Sequence, residues 1–382
     1  MTRVAVRPEM LRWASERSGV DWAELLIRFP RLPEWESQVR QPTLRQLEQY
    51  ARATLTPVGY LFLPEPLREG VPIPDFRTMG GRPVPRASPN LLDTIYLCQQ
   101  RQEWYRDYAR EQGLRTAAFV SSLTLETPVV EAAAAMRTWL QFDVAARADF
   151  RTWEEALRQF IGQADAAGVM VMCTGVVGSN NRRALDPSEF RGFALSDRLA
   201  PLVFINGADT KAAQMFTLAH ELAHLWLGQS ALSDADVPGV QGNQVERWCN
   251  RVAAELLVPM VVFENAMEQH DDIEASLRRL ARVFKVSTLV ILRRLLDARR
   301  MPEDEFWKRY RAEVERLVAL QHPGGGGNFY LSQAARVSRR FARALVENTL
   351  EGHTLYRDAM RMVGVARVET LHELGRSVGV AV

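Results

Sequence analysis

The sequence has few cysteines, few lysines and no long apolar run. Its three cysteines, Cys98, Cys173 and Cys249, form no Cys-x-x-Cys pair and no even-numbered disulfide framework, which favours a reducing compartment. No apolar run approaches the ~20 residues needed to span a bilayer. Arginines interrupt the first dozen residues and no apolar segment follows them, so no signal peptide is expected. We therefore predict a cytoplasmic protein without a membrane partner.

The charge balance excludes a strong global field. The formal net charge is only +2, so any contact with nucleic acid must come from a local basic patch. Three of the 48 basic residues are lysines and the others are arginines. The hydrophobic fraction of 47% and the charged fraction of 25% are ordinary for globular proteins. A chain of 382 residues has room for two or three domains with a substantial core.

The most constraining feature is the pentapeptide His220-Glu-Leu-Ala-His224. On a helix the two histidines lie one turn apart on one face, where both imidazoles can reach one cation. Zinc favours nitrogen ligands at ~2.0–2.1 Å. Glu221 is rotated by roughly 100° from His220, which suits a general base acting on a water beside the metal. The alternative is two core histidines that are satisfied by ordinary hydrogen bonds.

The surroundings of the pentapeptide favour the metal interpretation. Residues 200–206 read as a strand, residues 206–210 supply a turn and an N-cap, and Gly228 ends the helix. Helical counting places both histidines on the buried stripe, where polar side chains need partners. The pattern predicts a buried, functional pair.

A second predicted helix over residues 244–259 offers a third ligand. Glu246 and Asn250 share its apolar face, so the Glu246 carboxylate is expected to point inward. Asn250 can accept the free N–H of a ligating histidine and so fix its tautomer. The alternative for Glu246 is a carboxylate stabilised only by the helix N-terminus. Glu255, on the opposite face, is expected to be a solvated surface charge.

These residues resemble a known family. The segment from Phe216 to His224, paired with Glu246-x-x-x-Asn-x-x-Ala-Ala-Glu-Leu-Leu-x-Pro259, is similar to the ImmA/IrrE metallopeptidases. The resemblance implies Zn²⁺ bound by His220, His224 and Glu246, with Glu221 as the catalytic base. Cys249 departs from the family, where alanine is more common. Its thiol is either an inert buried group or one that competes for the metal or acts as a redox brake.

The N-terminal segment, residues 8–63, is predicted to form short helices around one small core and resembles an Xre-type helix-turn-helix domain. Such a domain needs basic or amide side chains at the start of its recognition helix. Residues 32–38 instead carry Glu34 and Glu36 and no basic residue. DNA contact through residues 8–63 and the holding of a protein partner therefore both stay open.

The whole chain is predicted to be an α+β protein that is mainly helical. We expect an Xre-like helix-turn-helix domain (1–66), a proline-rich linker (67–89), a zincin-like peptidase domain with a small sheet (90–300) and a helical C-terminal region (301–382). The expected strands are 168–173, 190–195 and 202–205. A break at 285–287 resembles a second helix-turn-helix in a locally basic segment, although a solvated charged face is the stronger interpretation. His372 and Glu373 mimic the zinc pattern with Arg376 in place of the second histidine, and receive no role.

Two functional hypotheses follow. The first is a zinc endopeptidase that cleaves a DNA-binding repressor or other regulatory protein, and thereby switches on phage, mobile-element or stress genes. An extended substrate would pair with an edge strand of the small sheet. Asp234, Asp236 and His270 are weak candidates for further cleft groups. The alternative is a binding protein with a weak or vestigial site: an antitoxin-like partner of a PIN-like ribonuclease toxin, or an Xre-type DNA-binding regulator.

Overall fold

The computed structural model describes residues 3–67, 69–76, 86–233, 243–267, 273–319 and 329–382, without the side chains of 317–319 and 329–332. These residues form a mainly helical α+β protein with one small sheet, as predicted. The chain divides into two compact units. Unit 1 comprises residues 1–72 and 85–95, and unit 2 comprises residues 73–84 and 96–382.

Short helices make up the N-terminal part of unit 1. They are α1 (Pro8–Ser18), α2 (Trp22–Arg28), α3 (Leu32–Glu36), α4 (Leu44–Ala53) and a 3-10 helix (Val58–Phe62). The Asp21 side chain caps α2, and Thr43 forms a reciprocal capping box with Gln46 at the start of α4. The Tyr50 hydroxyl donates to the backbone oxygen of Leu11 at 2.6 Å, so this buried polar group is satisfied.

Helices also dominate the rest of the chain. They are α5 (Pro89–Glu111), α6 (Val129–Leu140), a 3-10 helix (Ala146–Asp149), α7 (Trp153–Ala166), α8 (Lys211–Leu227), α9 (Gln244–Leu257), α10 (Met260–Ala266), α11 (Ile273–Phe284), α12 (Thr288–Asp297), α13 (Glu303–Ala319), α14 (Phe329–Val337), α15 (Arg339–Leu350), α16 (Tyr356–Val363) and α17 (Val368–Ser377). Among the described helices, none combines the length and apolar character needed to cross a bilayer.

The sheet lies in unit 2 and has the strand order β1-β3-β2-β4. Its strands are β1 (Met170–Thr174), β2 (Gly192–Leu195), β3 (Leu202–Asn206) and β4 (Ala231–Ser233). The β1–β3 pair is parallel and the other two pairs are antiparallel. The first three strands confirm the predicted ones. The sequence did not reveal β4, because three residues are too few for a periodic pattern.

Helix α8 packs closely on the sheet. The Thr210 side chain caps its start, and Gly228 ends it with a positive φ of 73°. A Cβ atom at Gly192 would lie 2.5 Å from Cγ2 of Thr217 and 2.8 Å from the backbone oxygen of Phe204. Only glycine therefore allows α8 to approach β2 this closely. This approach fixes where the pentapeptide sits relative to the sheet.

The expectation of a solvated Glu255 is wrong. Its carboxylate is 6% exposed and lies 2.6 Å from the guanidinium of Arg294, which is itself 4% exposed. Arg294 also donates from Nε to the backbone oxygen of Val258 at 2.9 Å. The reason is tertiary, because α12 covers a face of α9 that would be solvated in an isolated helix. Arg294 is therefore an internal cation rather than part of a basic surface.

Removal of the Glu255 carboxylate is expected to be costly. Glu255→Ala leaves the buried Arg294 guanidinium with only the Asp297 carboxylate at 3.4 Å, which should lower the free energy of unfolding by about 2–4 kcal/mol, below the full cost of an unpaired buried charge. Denaturant unfolding followed by circular dichroism measures this change. Glu274→Ala is the matched control, because its carboxylate is 58% exposed where it pairs with Arg278, and it should cost under about 1 kcal/mol. Equal losses in the two variants would contradict the prediction.

Candidate metal centre

The two histidines of the pentapeptide face each other on α8. Both are fully buried, and their rings lie 4.9 Å apart at 65°. Nε2 of His220 is 3.1 Å from Nε2 of His224. Two unprotonated nitrogens at this distance repel each other, so a proton or a cation must lie between them. The helix thus creates a place for a positive charge.

Glu246 on α9 closes the group from the other side. Its carboxylate oxygens lie 3.1 Å from Nε2 of His220 and 3.0 Å from Nε2 of His224. The three ligand atoms all lie within 4.8 Å of one another, the one such cluster found in the part of the chain that the structure describes. The three residues singled out from the sequence are therefore brought together in space.

The donor set fits zinc. Tetrahedral ligands with bonds of ~2.0–2.1 Å lie roughly 3.3 Å apart, close to the separations seen here. Burial opposes ionisation of Glu246, but the two histidines outweigh it and hold the pKa of its carboxyl well below the usual range. Burial lowers the pKa of His224, which keeps its imidazole neutral. An ionised carboxylate and a neutral imidazole are the forms that bind metal.

Asn250 lies one turn beyond Glu246 on α9 and contacts one of the two histidines. Its Oδ1 lies 2.9 Å from Nδ1 of His220. Because an amide oxygen only accepts, Nδ1 of His220 carries the hydrogen and Nε2 presents its lone pair to the centre. His224 is held differently. The Ser233 hydroxyl on β4 lies 3.3 Å from its Nε2, and Nδ1 has no hydrogen-bond partner among the described residues.

Glu221 lies beside the centre but takes no part in the contacts among His220, His224 and Glu246. It is fully buried, and neither carboxylate oxygen has a hydrogen-bond partner among the described residues. Burial raises the pKa of this carboxyl to about 8, although the nearby His220 opposes the shift. A buried carboxyl with a raised pKa in such a position is suited to taking up and releasing protons.

Two contacts of the site were missed by sequence reasoning. One is Ser233, which lies on the unrecognised strand β4. The other is Phe76, whose ring stacks on His224 at 6.2 Å and 26°. Phe76 lies in the segment interpreted as a linker. Two apolar residues, Ile73 and Phe76, interrupt the prolines of this segment and could have indicated that it packs against a core. Their spacing gave no indication of a contact with the histidines.

Cys249 does not join the ligand cluster. It is fully buried on α9, and burial raises the pKa of its thiol well above the usual range. The thiol is therefore held protonated, the form that neither binds metal nor attacks readily. This environment fits an inert core residue. Asp234, Asp236 and His270 lie outside the described residues.

The second His-Glu pair lies elsewhere in the fold. On α17, Nε2 of His372 is 3.2 Å from the Tyr356 hydroxyl, and Glu373 pairs with Arg376. These contacts are ordinary surface interactions, and neither residue is part of the metal cluster. Glu373 thus provides a glutamate in the same sequence context as Glu221 but outside the site.

The acids of α3 in the N-terminal unit are paired. Glu34 lies 3.2 Å from Arg40, and Glu36 forms an ion pair with Arg12. Arg12 and Arg40 are therefore partly neutralised by acids of α3. This pairing weakens any phosphate contact that the two arginines could make.

Comparison with protein families agrees with this geometry. Residues 164–296 match the Peptidase_M78 family, described as an IrrE N-terminal-like domain. This segment is therefore similar to a peptidase family. The matched segment contains α8, α9 and every residue described at the centre except Phe76. Residues 337–377 match a domain of unknown function, DUF8813. No curated protein matches the chain.

Loss of the third ligand should empty the centre. In Glu246→Ala the two histidines remain but the anionic ligand is gone, so bound zinc should fall from about one ion per chain to a small fraction of that. Elemental analysis after dialysis measures the metal content. Glu264→Ala, an exposed acid of α10, is the control and should bind as wild type does. An unchanged metal content in Glu246→Ala would remove this residue from the ligand set.

Asn250→Ala should weaken the centre without removing a ligand. The orienting bond to Nδ1 of His220 is lost, which typically lowers metal affinity by about 10–100-fold. Competition with a chelating dye measures the affinity. Asn250→Asp keeps an oxygen acceptor at the same place and should bind more tightly than Asn250→Ala. A purely structural role would instead lower stability in both variants without separating their affinities.

Proposed function

We propose that this protein is a zinc-dependent endopeptidase of the ImmA/IrrE type that cleaves a regulatory protein. One observation carries the proposal. His220, His224 and Glu246 converge on one point, with the buried carboxyl of Glu221 beside it, inside the segment that matches a peptidase family. A structural histidine pair would not require an adjacent buried carboxyl whose oxygens have no hydrogen-bond partner within the geometric limits among the described residues.

The residues have distinct roles in this reaction. His220, His224 and Glu246 would hold zinc, which supplies Lewis-acid polarisation of a peptide carbonyl. Glu221 takes a proton from the attacking water and returns it to the leaving amine. Burial raises the pKa of the Glu221 carboxyl, and a bound zinc cation would oppose this shift and favour the ionised form that accepts the proton. Asn250 positions His220 and does not touch the reacting atoms.

The sheet offers a place for the substrate backbone. β4 is the strand at the end of the sheet nearest the centre, and its Ser233 contacts His224. An extended peptide that adds to this edge by main-chain hydrogen bonds would pass beside the two histidines. Main-chain hydrogen bonds do not distinguish one peptide sequence from another. Specificity for a substrate sequence must therefore come from side-chain contacts along the edge.

The biological substrate follows from family resemblance. We propose a DNA-binding repressor, whose cleavage would switch on phage, mobile-element or stress genes. The acids of α3 favour a protein over DNA as the partner of the N-terminal unit. Incubation of the zinc-loaded protein with the products of neighbouring genes, with and without chelator, tests this choice by gel electrophoresis.

A second candidate function is a regulatory binding protein, such as an antitoxin-like partner of a PIN-like ribonuclease. It is favoured by the closure of the centre, since the three ligands and Glu221 are at most 6% exposed. Stable complex formation with a nuclease encoded by the neighbouring gene, without metal-dependent cleavage of any partner, would support this function over the peptidase.

Glu221→Gln should separate metal binding from catalysis. The amide keeps the size of the side chain but cannot accept a proton, so cleavage should fall by at least about 100-fold while bound zinc is unchanged. Cleavage of a protein substrate and elemental analysis measure the two quantities. The matched control is Glu373→Gln on α17, which makes the same change in a similar sequence context and should leave both unaltered. Undiminished cleavage in Glu221→Gln would remove Glu221 as the base.

A further inference from the structure

Residues 74–76, termed the strap, pair with the edge of β4 through an isolated β-bridge. Phe76 N–H donates to the backbone oxygen of Leu232 at 2.9 Å, and Leu232 N–H donates to the backbone oxygen of Pro74 at 2.9 Å. Asp75 pairs with Leu232 in a parallel bridge. Both outward backbone groups of Leu232 are therefore used by the strap. A peptide that binds this edge must compete for the same two groups.

The strap also covers the metal centre. The ring of Phe76 stacks on His224, one of the ligands, and packs against the core of unit 2. On the opposite side β4 pairs with β2, so the strap is the outermost layer at this end of the sheet. With the strap in place, His220, Glu221 and His224 are fully buried. The strap therefore covers the His224 side of the centre.

Prolines limit the hydrogen bonds that the strap can donate. Pro72 and Pro74 have no backbone N–H, so the segment between them contributes little to a hydrogen-bond ladder. The strap packs with unit 2, whereas residues 1–72 before it and 85–95 after it belong to unit 1. It is thus a short segment of unit 2 that lies along the chain between two segments of unit 1.

We propose that the strap occupies the peptide-binding edge of β4 as an intramolecular ligand, and that its release opens this edge to an extended peptide with an aromatic side chain at the position of Phe76. This inference rests on the proposed peptidase function. A tethered competitor acts at an effective concentration in the millimolar range. Peptides that bind more weakly are excluded until the strap leaves, which makes the protein a latent peptidase.

Displacement of the strap can be measured without catalysis. The full-length Glu221→Gln protein serves as background, so that a bound peptide is not cut. Phe76→Ala removes the ring from His224, and Phe76→Pro also removes the N–H that donates to Leu232. Phe62→Ala makes the same aromatic-to-alanine change at an exposed position of unit 1 and is the matched control.

Two readouts are expected to change together. Hydrogen exchange of a segment containing Leu232 should speed up by about tenfold or more in Phe76→Ala, and further in Phe76→Pro, because the strap opens more often. A fluorescent peptide with the sequence of residues 71–78 should bind both variants at least about tenfold more tightly than the Phe62→Ala control. The same peptide with alanine in place of phenylalanine should bind more weakly than the parent peptide.

Either of two results would overturn the inference. If exchange at Leu232 is unchanged in both Phe76 variants, or if the peptide binds the control as tightly as the variants, the strap does not occupy a peptide-binding edge. Cleavage assays with Glu221 intact separate this failure from that of the proposed function. If wild type and Phe76→Ala cleave a substrate equally, the protein is a peptidase that the strap does not inhibit. If the peptide binds tightly but no substrate is cleaved, the edge of β4 binds peptides and the proposed peptidase function fails.

Discussion

The bridge made by Glu246 between His220 and His224 is the interaction on which the site depends. It joins α9 to α8 through a buried carboxylate, and a charge in that place is costly unless it is paired. The same contact makes the two helices neighbours and turns a histidine pair into a three-ligand centre. The inward face of α9, with Asn250 below Glu246, is therefore shaped by electrostatics as much as by apolar packing.

The position of the sheet decides what the remaining carboxyl can do. Gly192 lets α8 lie against β2, where its missing side chain leaves room for Thr217 and Glu221. Glu221 is consequently buried beside the ligands rather than facing solvent, and burial raises its pKa. A base for proton transfer and a cation site thus arise from one close helix–sheet contact.

The cluster of His220, His224 and Glu246 is buried beneath the strap on its His224 side. The strap supplies both a backbone partner for β4 and a ring over His224, which are the two things that a bound peptide would provide. The strap belongs to unit 2, and residues of unit 1 precede and follow it along the chain.

The sequence by itself determined the chemistry. Helical periodicity is local, so it was enough to place His220, Glu221 and His224 on one buried helix, Glu246 and Asn250 on the inward face of another, and three strands ahead of them. Only the tertiary structure decided the rest. Glu255 is buried because α12 covers it, β4 is too short to carry a pattern, and Phe76 reaches His224 from more than a hundred residues away. Contacts between distant segments leave no periodic signal in a single sequence, which is why the ligands could be predicted and what covers them could not.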